Sequence, residues 1–402
     1  MNNRILSLLG LQGLWILSIK EYQKFIFIYC YLTRKTANCP TCSKRTNSVY
    51  DQRPPAMVKH LKIGFRQTYL VLFKRRFKCK SCNHVFTEKP AQIGKWQRKT
   101  NSMDEQIIEY LKEVSFKGVK RRLGISYSSS VKLLKKTINE TEVDWQKELN
   151  SSKGDGISLG IDEHSFSGHD LLITLTNLTT PKLITILQDD NKTTLDTLLS
   201  TIPENLKQNI PSVAIDMKQM YKLSLKRYLP DTKITVDHFH VIYDANKRIE
   251  EERRILQGVF KSKIPRFLFI KNKENLSQKE KDLIKIIFQK YPDLKFYWFA
   301  KEELREIYKL KNRDEAKTKL STLIRIMYKE HDSGLTNWAN TLTNWKEEIL
   351  NFFTTHITNA YTEGVNTKLK LIKRTGFGFK NKEVYIKKAL LAFTPFLILP
   401  HF

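Results

Sequence analysis

Three acidic residues and four cysteines are the side chains of this 402-residue chain whose types and spacing suit chemistry. The cysteines come as CPTC, Cys39–Cys42, and CKSC, Cys79–Cys82. Each C-x-x-C presents two sulfurs on one tight turn, and two such turns complete a tetrahedral four-thiolate site for Zn²⁺. Four thiolates leave no position for water, so that zinc is expected to be structural. A strand-like run, Thr68–Lys74, leads into the second pair, which is the zinc-ribbon arrangement. A redox role fits poorly, because two pairs occur and no βαβ context surrounds them. All five cysteines lie in the first fifth of the chain, unlike the spread of a secreted disulfide scaffold. Cys30 reads as a buried strand residue.

The acids are Asp162, Asp216 and Glu363. Asp162 follows the strand-like run Ile157–Ile161, and Asp216 follows Ser212–Ile215, so both are expected at the carboxyl edge of one sheet, where ligand sites gather. Glu363 lies in NAYTEGVNTKLKLIK, Asn359–Lys373. On a helix, Asn359, Glu363, Asn366, Lys370 and Lys373 share one side, while Ile357, Tyr361, Leu369 and Ile372 share the other. Hard cations such as Mg²⁺ or Mn²⁺ take carboxylate and phosphate oxygens, and two held close together catalyse in-line displacement at phosphorus. In this reading Asp162 bridges both ions, and Asp216 and Glu363 each complete one. Asp237 also ends a strand, in DHFHVI, and competes with Asp216. Asp216 is preferred because its strand comes directly after a helical crossover. Asp237, His240 and Asn366 are auxiliary candidates. His238 with His240 does not by itself make a zinc site. Glu163 reads as surface charge, and His164, His169 and Asp170 carry no assigned role.

The elements that position these groups follow from pattern. Residues 1–34 read as a short helix and a strand at Lys24–Leu32, residues 35–100 as the ribbon, and residues 101–145 as a helix-turn-helix. In the last, Val119 and Leu123 pack one helix, Gly124 makes the turn, Ile125 is buried, and Ser126 caps a second helix through Lys136. The exposed start of that helix, Tyr127, Ser128, Ser129 and Ser130, with Lys132, is placed to enter a major groove. Residues 155–242 read as three antiparallel strands, a helix at about Thr193–Gln208 and two further strands. Residues 243–350 read as a helical insertion, and 351–402 as the return to the core with the Glu363 helix.

The formal net charge of +29 points to nucleic acid as partner. Arg75 and Arg76 in the ribbon, and Lys370, Lys373 and Arg374 beside the acids, join the helix-turn-helix residues as DNA-contact candidates. The apolar stretches near the start are interrupted by Lys20, Glu21 and Lys24, and none reaches bilayer-spanning length. A cytoplasmic bacterial protein is expected.

CPTC and CKSC, then GIDEHSF, VAIDMKQMY, DHFHVI and TEGVNTKLKLIKRTGFGFKN, in that order, resemble the bacterial insertion-sequence transposases of the ISL-three type, over nearly the whole chain. The resemblance implies an RNase H-like DDE core interrupted by a helical insertion, within a multidomain α/β chain. It implies Mg²⁺-dependent cleavage and strand transfer of double-stranded DNA at terminal inverted repeats. The family's acids carry over onto Asp162, Asp216 and Glu363. Where the family commonly has Arg before the Phe-His of DHFHV, this chain has His238. Synapsis of two ends implies a homodimer or larger assembly. The competing readings are a DNA-binding regulator that keeps the fold without catalysis, or a nuclease without strand transfer.

Overall fold

The computed structural model describes residues 6–7, 9–94, 97–138, 143–151 and 156–394. The chain divides into two compact units, residues 1–139 with 394–402, and residues 140–393.

The first unit is built on a five-stranded sheet in the order β1-β2-β6-β5, with β7 paired to β6. Its strands are β1 Leu14–Glu21, β2 Phe25–Leu32, β5 Val49–Lys59, β6 Gln67–Lys78 and β7 Val85–Thr87. β2 buries every second residue, Ile26, Ile28, Cys30 and Leu32, against Leu70, Leu72 and Val58. Leu6 and Ser7 are helical, but Leu14–Glu21, between them and β2, is strand β1, antiparallel to β2. A bulge between Ile16 and Ser18 breaks the period-two alternation that otherwise marks a strand. Nor do residues 1–34 stand apart from the ribbon, since β2 runs parallel to β6 in the same sheet. The small hairpin β3 Ala37–Asn38 and β4 Arg45–Thr46 carries the first cysteine pair, and the β6–β7 hairpin carries the second.

Among the described residues, the long helices of this unit are α1 Asn101–Glu113, α2 Phe116–Leu123 and α3 Tyr127–Thr137. Each begins with the side-chain cap its sequence offers. Thr100 accepts from the Met103 N–H, Ser115 from Gly118 and Ser126 from Ser129. Gly124 ends α2 in the left-handed region at φ 62°, which glycine adopts without strain, and Ile125 is buried behind it.

The second unit holds a mixed sheet in the order β10-β9-β8-β11-β12. β8 Leu159–Ser167, β9 Asp170–Asn177 and β10 Lys182–Ile186 are antiparallel. β11 Ser212–Ile215 runs parallel to β8, and β12 Lys233–Val236 parallel to β11. This is the RNase H-like arrangement. Helices α4 Lys192–Ser200 and α5 Gln219–Tyr228 make the crossovers. The single helix expected to Gln208 stops at Ser200, and a separate short turn, Glu204–Lys207, follows Pro203, which cannot donate within a helix interior. The insertion comprises α6 His238–Phe260, α7 Gln278–Lys290, α8 Pro292–Tyr308, α9 Arg313–Lys329 and α10 Ser333–Asn344, with short helices between and after them. It starts five residues earlier than expected, because Asp237 caps α6 directly after β12. The insertion shares one continuous apolar core with one face of the sheet. The other face is covered by α11 Ala360–Thr375 and α12 Lys382–Ala392, through Leu172, Leu183, Val365, Leu369, Tyr385 and Ile386. The final apolar stretch beyond residue 394 lies outside the described residues. Among the described residues no helix is long and apolar enough to cross a membrane.

Candidate active site

The two cysteine pairs converge. The sulfurs of Cys39, Cys42, Cys79 and Cys82 all lie within 4.8 Å of one another. The two turns are built alike. Cys39 donates its N–H to Lys44 O and accepts from Ser43, both at 2.9 Å; Cys79 donates to His84 O and accepts from Asn83, again at 2.9 Å. Ser43 and Asn83 occupy the left-handed region at φ 60° and 56°. Backbone N–H groups of Cys82 and Ser81 draw the Cys79 thiol down to about 6, toward the thiolate that binds metal. Four sulfurs in this arrangement fit Zn²⁺. Cys30 is fully buried in β2, and burial pushes its thiol up to about 12.

The acids are assembled differently. β8 does not end at Asp162 but runs on to Ser167, because β9 pairs with it as far as Ser167↔Asp170. Period-two alternation then sorts its side chains. Gly160, Asp162, His164 and Phe166 face α11 and α12; Leu159, Ile161 and Glu163 face the opposite layer. Asp216 follows β11 directly. The β8–β11 register pairs Val213 with Leu159 and Ala214 with Gly160, so continuing it sets Asp216 beside Asp162. Glu363 stands in the first turn of α11.

α11 is seated on β8 by polar contacts that the sequence pattern did not reveal. Asn359 is buried, donating from Nδ2 to Ile161 O at 2.8 Å. Thr362 meets the Thr176 hydroxyl at 2.7 Å. Asn366 is buried as well, not on an exposed face with Glu363, and its Nδ2 donates to Asp162 Oδ2 at 2.7 Å and to Glu163 O at 3.3 Å. The helix therefore buries Thr362, Val365, Asn366, Leu369 and Ile372, one step round from the stripe expected through Ile357 and Tyr361. Gly160 makes this seating feasible, since a Cβ there would lie 2.7 Å from Asn359 Oδ1.

Asp162 is nearly buried, and burial together with the charge of Asp216 lifts its carboxyl to about 6. Its Oδ1 accepts the Glu163 N–H at 2.6 Å. His240, in the first turn of α6, spans the other two acids, with Nε2 2.8 Å from Asp216 Oδ1 and 3.3 Å from Glu363 Oε1. Burial alone would lower the His240 pKa. The carboxylate of Asp216 close by, with the charges of Asp162 and Asp237, outweighs it and raises the imidazole to about 9. An imidazolium thus neutralises the acid cluster. The donor set consists of hard carboxylate oxygens that raise one another's affinity for positive charge, which suits a hard divalent cation. Among the described residues only the four cysteines are gathered as tightly as a metal's ligands.

Asp237 has another occupation. It accepts the Phe239 N–H at 2.9 Å as cap of α6 and the Asn359 N–H at 2.6 Å at the head of α11. Burial would raise its pKa, but the nearby His238 ring and the N–H bonds from Phe239 and Asn359 hold it low. Its neighbour His238 packs near Tyr308 and Phe352, away from His240's contacts. Glu163 is not simple surface charge, because it pairs with Lys218 and accepts from the Tyr221 hydroxyl.

The DNA-contact candidates divide. Tyr127, Ser128, Ser129, Lys132, Lys370 and Arg374 are exposed, whereas Ser130 is buried. Both ribbon arginines are engaged within the chain. Arg75 donates to Glu88 at 2.8 and 3.1 Å and to Leu32 O at 3.1 Å, and Arg76 donates to Asp51 at 2.6 Å. Lys373 is tied to the carbonyls of Ser165 and Phe166, at 2.7 and 3.2 Å.

A four-thiolate ribbon joined to an RNase H-like core whose adjacent strands β8 and β11 bring two aspartates side by side defines a class of DNA-processing proteins. Residues 159–389 match the profile of the ISL3-type transposase DDE domain, and residues 35–82 match the zinc finger of the transposases of IS204, IS1001, IS1096 and IS1165. The chain belongs to the ISL3 transposase family. It is 22% identical over 404 residues to the transposase for insertion sequence element IS1001 of Bordetella parapertussis, covering 96% of this chain and 97% of that one.

Proposed function

We propose that this transposase binds the terminal inverted repeats of its element and catalyses phosphoryl transfer on DNA with Asp162, Asp216 and Glu363 as the acid set. The observation that carries the reading is the meeting of Asp216 and Glu363 across His240, beside a nearly buried Asp162. Asp162, Asp216 and Glu363 are the residues that would hold Mg²⁺ or Mn²⁺. When bound, such ions activate the attacking oxygen and stabilise the leaving one. The chain's own contribution is to fix Asp162 through Asn366 and the Glu163 N–H, and to neutralise the cluster through His240 until metal and DNA arrive. Water attacks the scissile phosphorus and the 3′-oxygen leaves, taking up a proton; that 3′-hydroxyl then gives up its proton and attacks a target phosphorus, whose own 3′-oxygen leaves and is protonated. Exposed Tyr127, Ser128, Ser129 and Lys132 serve end recognition, and Lys370 and Arg374 hold backbone near the acids. The protein acts on the bacterial chromosome, in the cytoplasm, as a dimer or larger assembly.

The test is cleavage of labelled DNA carrying the element's inverted repeats, with Mg²⁺, by wild type and by Glu363→Gln. Cleavage by wild type alone is expected. Equal cleavage by both would reduce Glu363 to a solvated helix residue. Binding without cleavage by either would favour the regulator reading.

A further inference from the structure

Behind Asp162 and Asn366 a buried polar chain continues through groups to which the cleavage reaction assigns nothing. Asn366 Nδ2 is 2.7 Å from Asp162 Oδ2, and Asn366 Oδ1 is 2.7 Å from Thr174 Oγ1. Thr174 Oγ1 is 2.9 Å from His164 Nδ1, and His164 Nε2 is 3.0 Å from the Tyr385 hydroxyl. Asn366, Thr174, His164 and Tyr385 are each no more than 2% exposed. They come from α11, β9, β8 and α12, so the chain ties together the layer that covers Asp162 and the two strands beneath it.

The donor of every bond follows by elimination. A carboxylate only accepts, so Asn366 must turn its amide nitrogen toward Asp162. Its oxygen then faces Thr174 and can only accept, so the Thr174 hydroxyl donates there. That leaves Thr174 a lone pair for His164, whose Nδ1 must carry the proton. Nε2 of a neutral ring is then an acceptor, and the Tyr385 hydroxyl donates to it. All four protons point toward Asp162, and each link fixes the next. With the Glu163 N–H on Oδ1, each Asp162 oxygen has one donor and keeps lone pairs on its open side.

We propose that Thr174, His164 and Tyr385 are positioning residues for Asp162, acting as a one-directional relay that locks the Asn366 amide and thereby presets the carboxylate for a divalent cation. This rests on the metal-site reading above. Outer partners of metal ligands typically govern affinity by about 10- to 100-fold. The relay also explains why His164 lies two residues from Asp162 on the same strand face, with Thr174 aimed at it from β9, since Asp162 pairs with Thr174 in the sheet register.

The experiment uses the full-length protein with two readouts. One is the tautomer of His164, from ¹⁵N shifts of histidine-labelled protein assigned with His164→Gln. The other is calorimetric titration with Mn²⁺ alone. Wild type is expected to show the Nδ1–H tautomer. Thr174→Val is expected to lose it and to bind Mn²⁺ at least about 10-fold more weakly. Thr174→Ser, which keeps the hydroxyl, is expected to restore both, and Tyr385→Phe to shift the tautomer with a smaller loss of affinity. Thermal melts check that each variant is folded. Wild-type tautomer and Mn²⁺ affinity in folded Thr174→Val would overturn the relay, as would the Nε2–H tautomer in wild type. If wild type binds no Mn²⁺ while the tautomer responds as stated, the metal reading fails and the relay's direction stands.

Discussion

The ribbon and the acid cluster are built on opposite plans. The ribbon's ligands lie close in two hairpins of one local structure, and their geometry is finished: four sulfurs within 4.8 Å, on turns with matching backbone bonds. The acids come from residues 162, 216 and 363, and in place of ligand-like closeness they have a cationic histidine between two of them. A structural metal belongs in a closed shell made by the chain alone. A site that must admit a phosphate and release it keeps oxygen donors short of closure. On the proposed function, the difference between the regions is a difference of task.

The largest effect should come from breaking the closed shell. Zinc is expected at one equivalent per chain. Stripping it, or alkylating the four cysteines, should unfold the ribbon and abolish DNA binding, because structural zinc contributes on the order of 10 kcal/mol or more. Melting of the acid-bearing unit should persist, and mass spectrometry at pH 8 should find Cys30 unmodified in folded protein, as its thiol stays protonated to about 12. Metal-free protein with intact DNA binding would erase the contrast.

A middle-sized effect tests how firmly the acid site is buried. Burial, with the charges of Lys373 and Lys370, holds His164 down at about 4, against an unfolded value near 6.5. The unfolded chain therefore binds more protons between these values. The His164 contribution should be complete above pH 6.5 and fall by about 3 kcal/mol as the pH drops toward 4, while Asp162, raised to about 6 in the folded chain, acts in the opposite sense over the same range. Chemical denaturation of wild type and His164→Gln across that range should isolate the His164 contribution, as a stability difference that shifts by about 3 kcal/mol against wild type toward pH 4.

The smallest effects separate contact from scaffold among the basic residues. Lys132→Ala should weaken DNA binding modestly and reduce the salt dependence by about one counterion. Arg75→Ala should instead lower the melting temperature of the ribbon unit, because its guanidinium is committed to Glu88 and to backbone carbonyls. A full counterion lost in Arg75→Ala, without destabilisation, would reverse that assignment.

What was legible in the sequence was local. Cap residues, cysteine pairs and the short strands ending at Asp216 and Asp237 announce themselves within a few positions. What was hidden depended on partners far away. β1 lost its alternation at a bulge defined only by pairing with β2. The seating of α11 uses Asn359, Thr362 and Asn366, which look like a solvated stripe until β8 supplies acceptors. Gly160, two residues before Asp162, was the available sign that another backbone approaches there. His240 three residues after a helix-capping Asp237 was the sign that it would return toward the strand ends. The same pairings distinguish Asp216, facing His240, from Asp237, absorbed in capping two helices.

That distinction gives the most direct measurement: Mg²⁺-dependent cleavage of inverted-repeat DNA by Asp216→Asn beside Asp237→Asn, each matched for folded fraction and DNA binding. If Asp216 belongs to the acid set, Asp216→Asn melts like wild type and does not cleave. Asp237→Asn melts lower, and its folded fraction still cleaves. Cleavage by folded Asp216→Asn, with none by folded Asp237→Asn, would contradict the assignment.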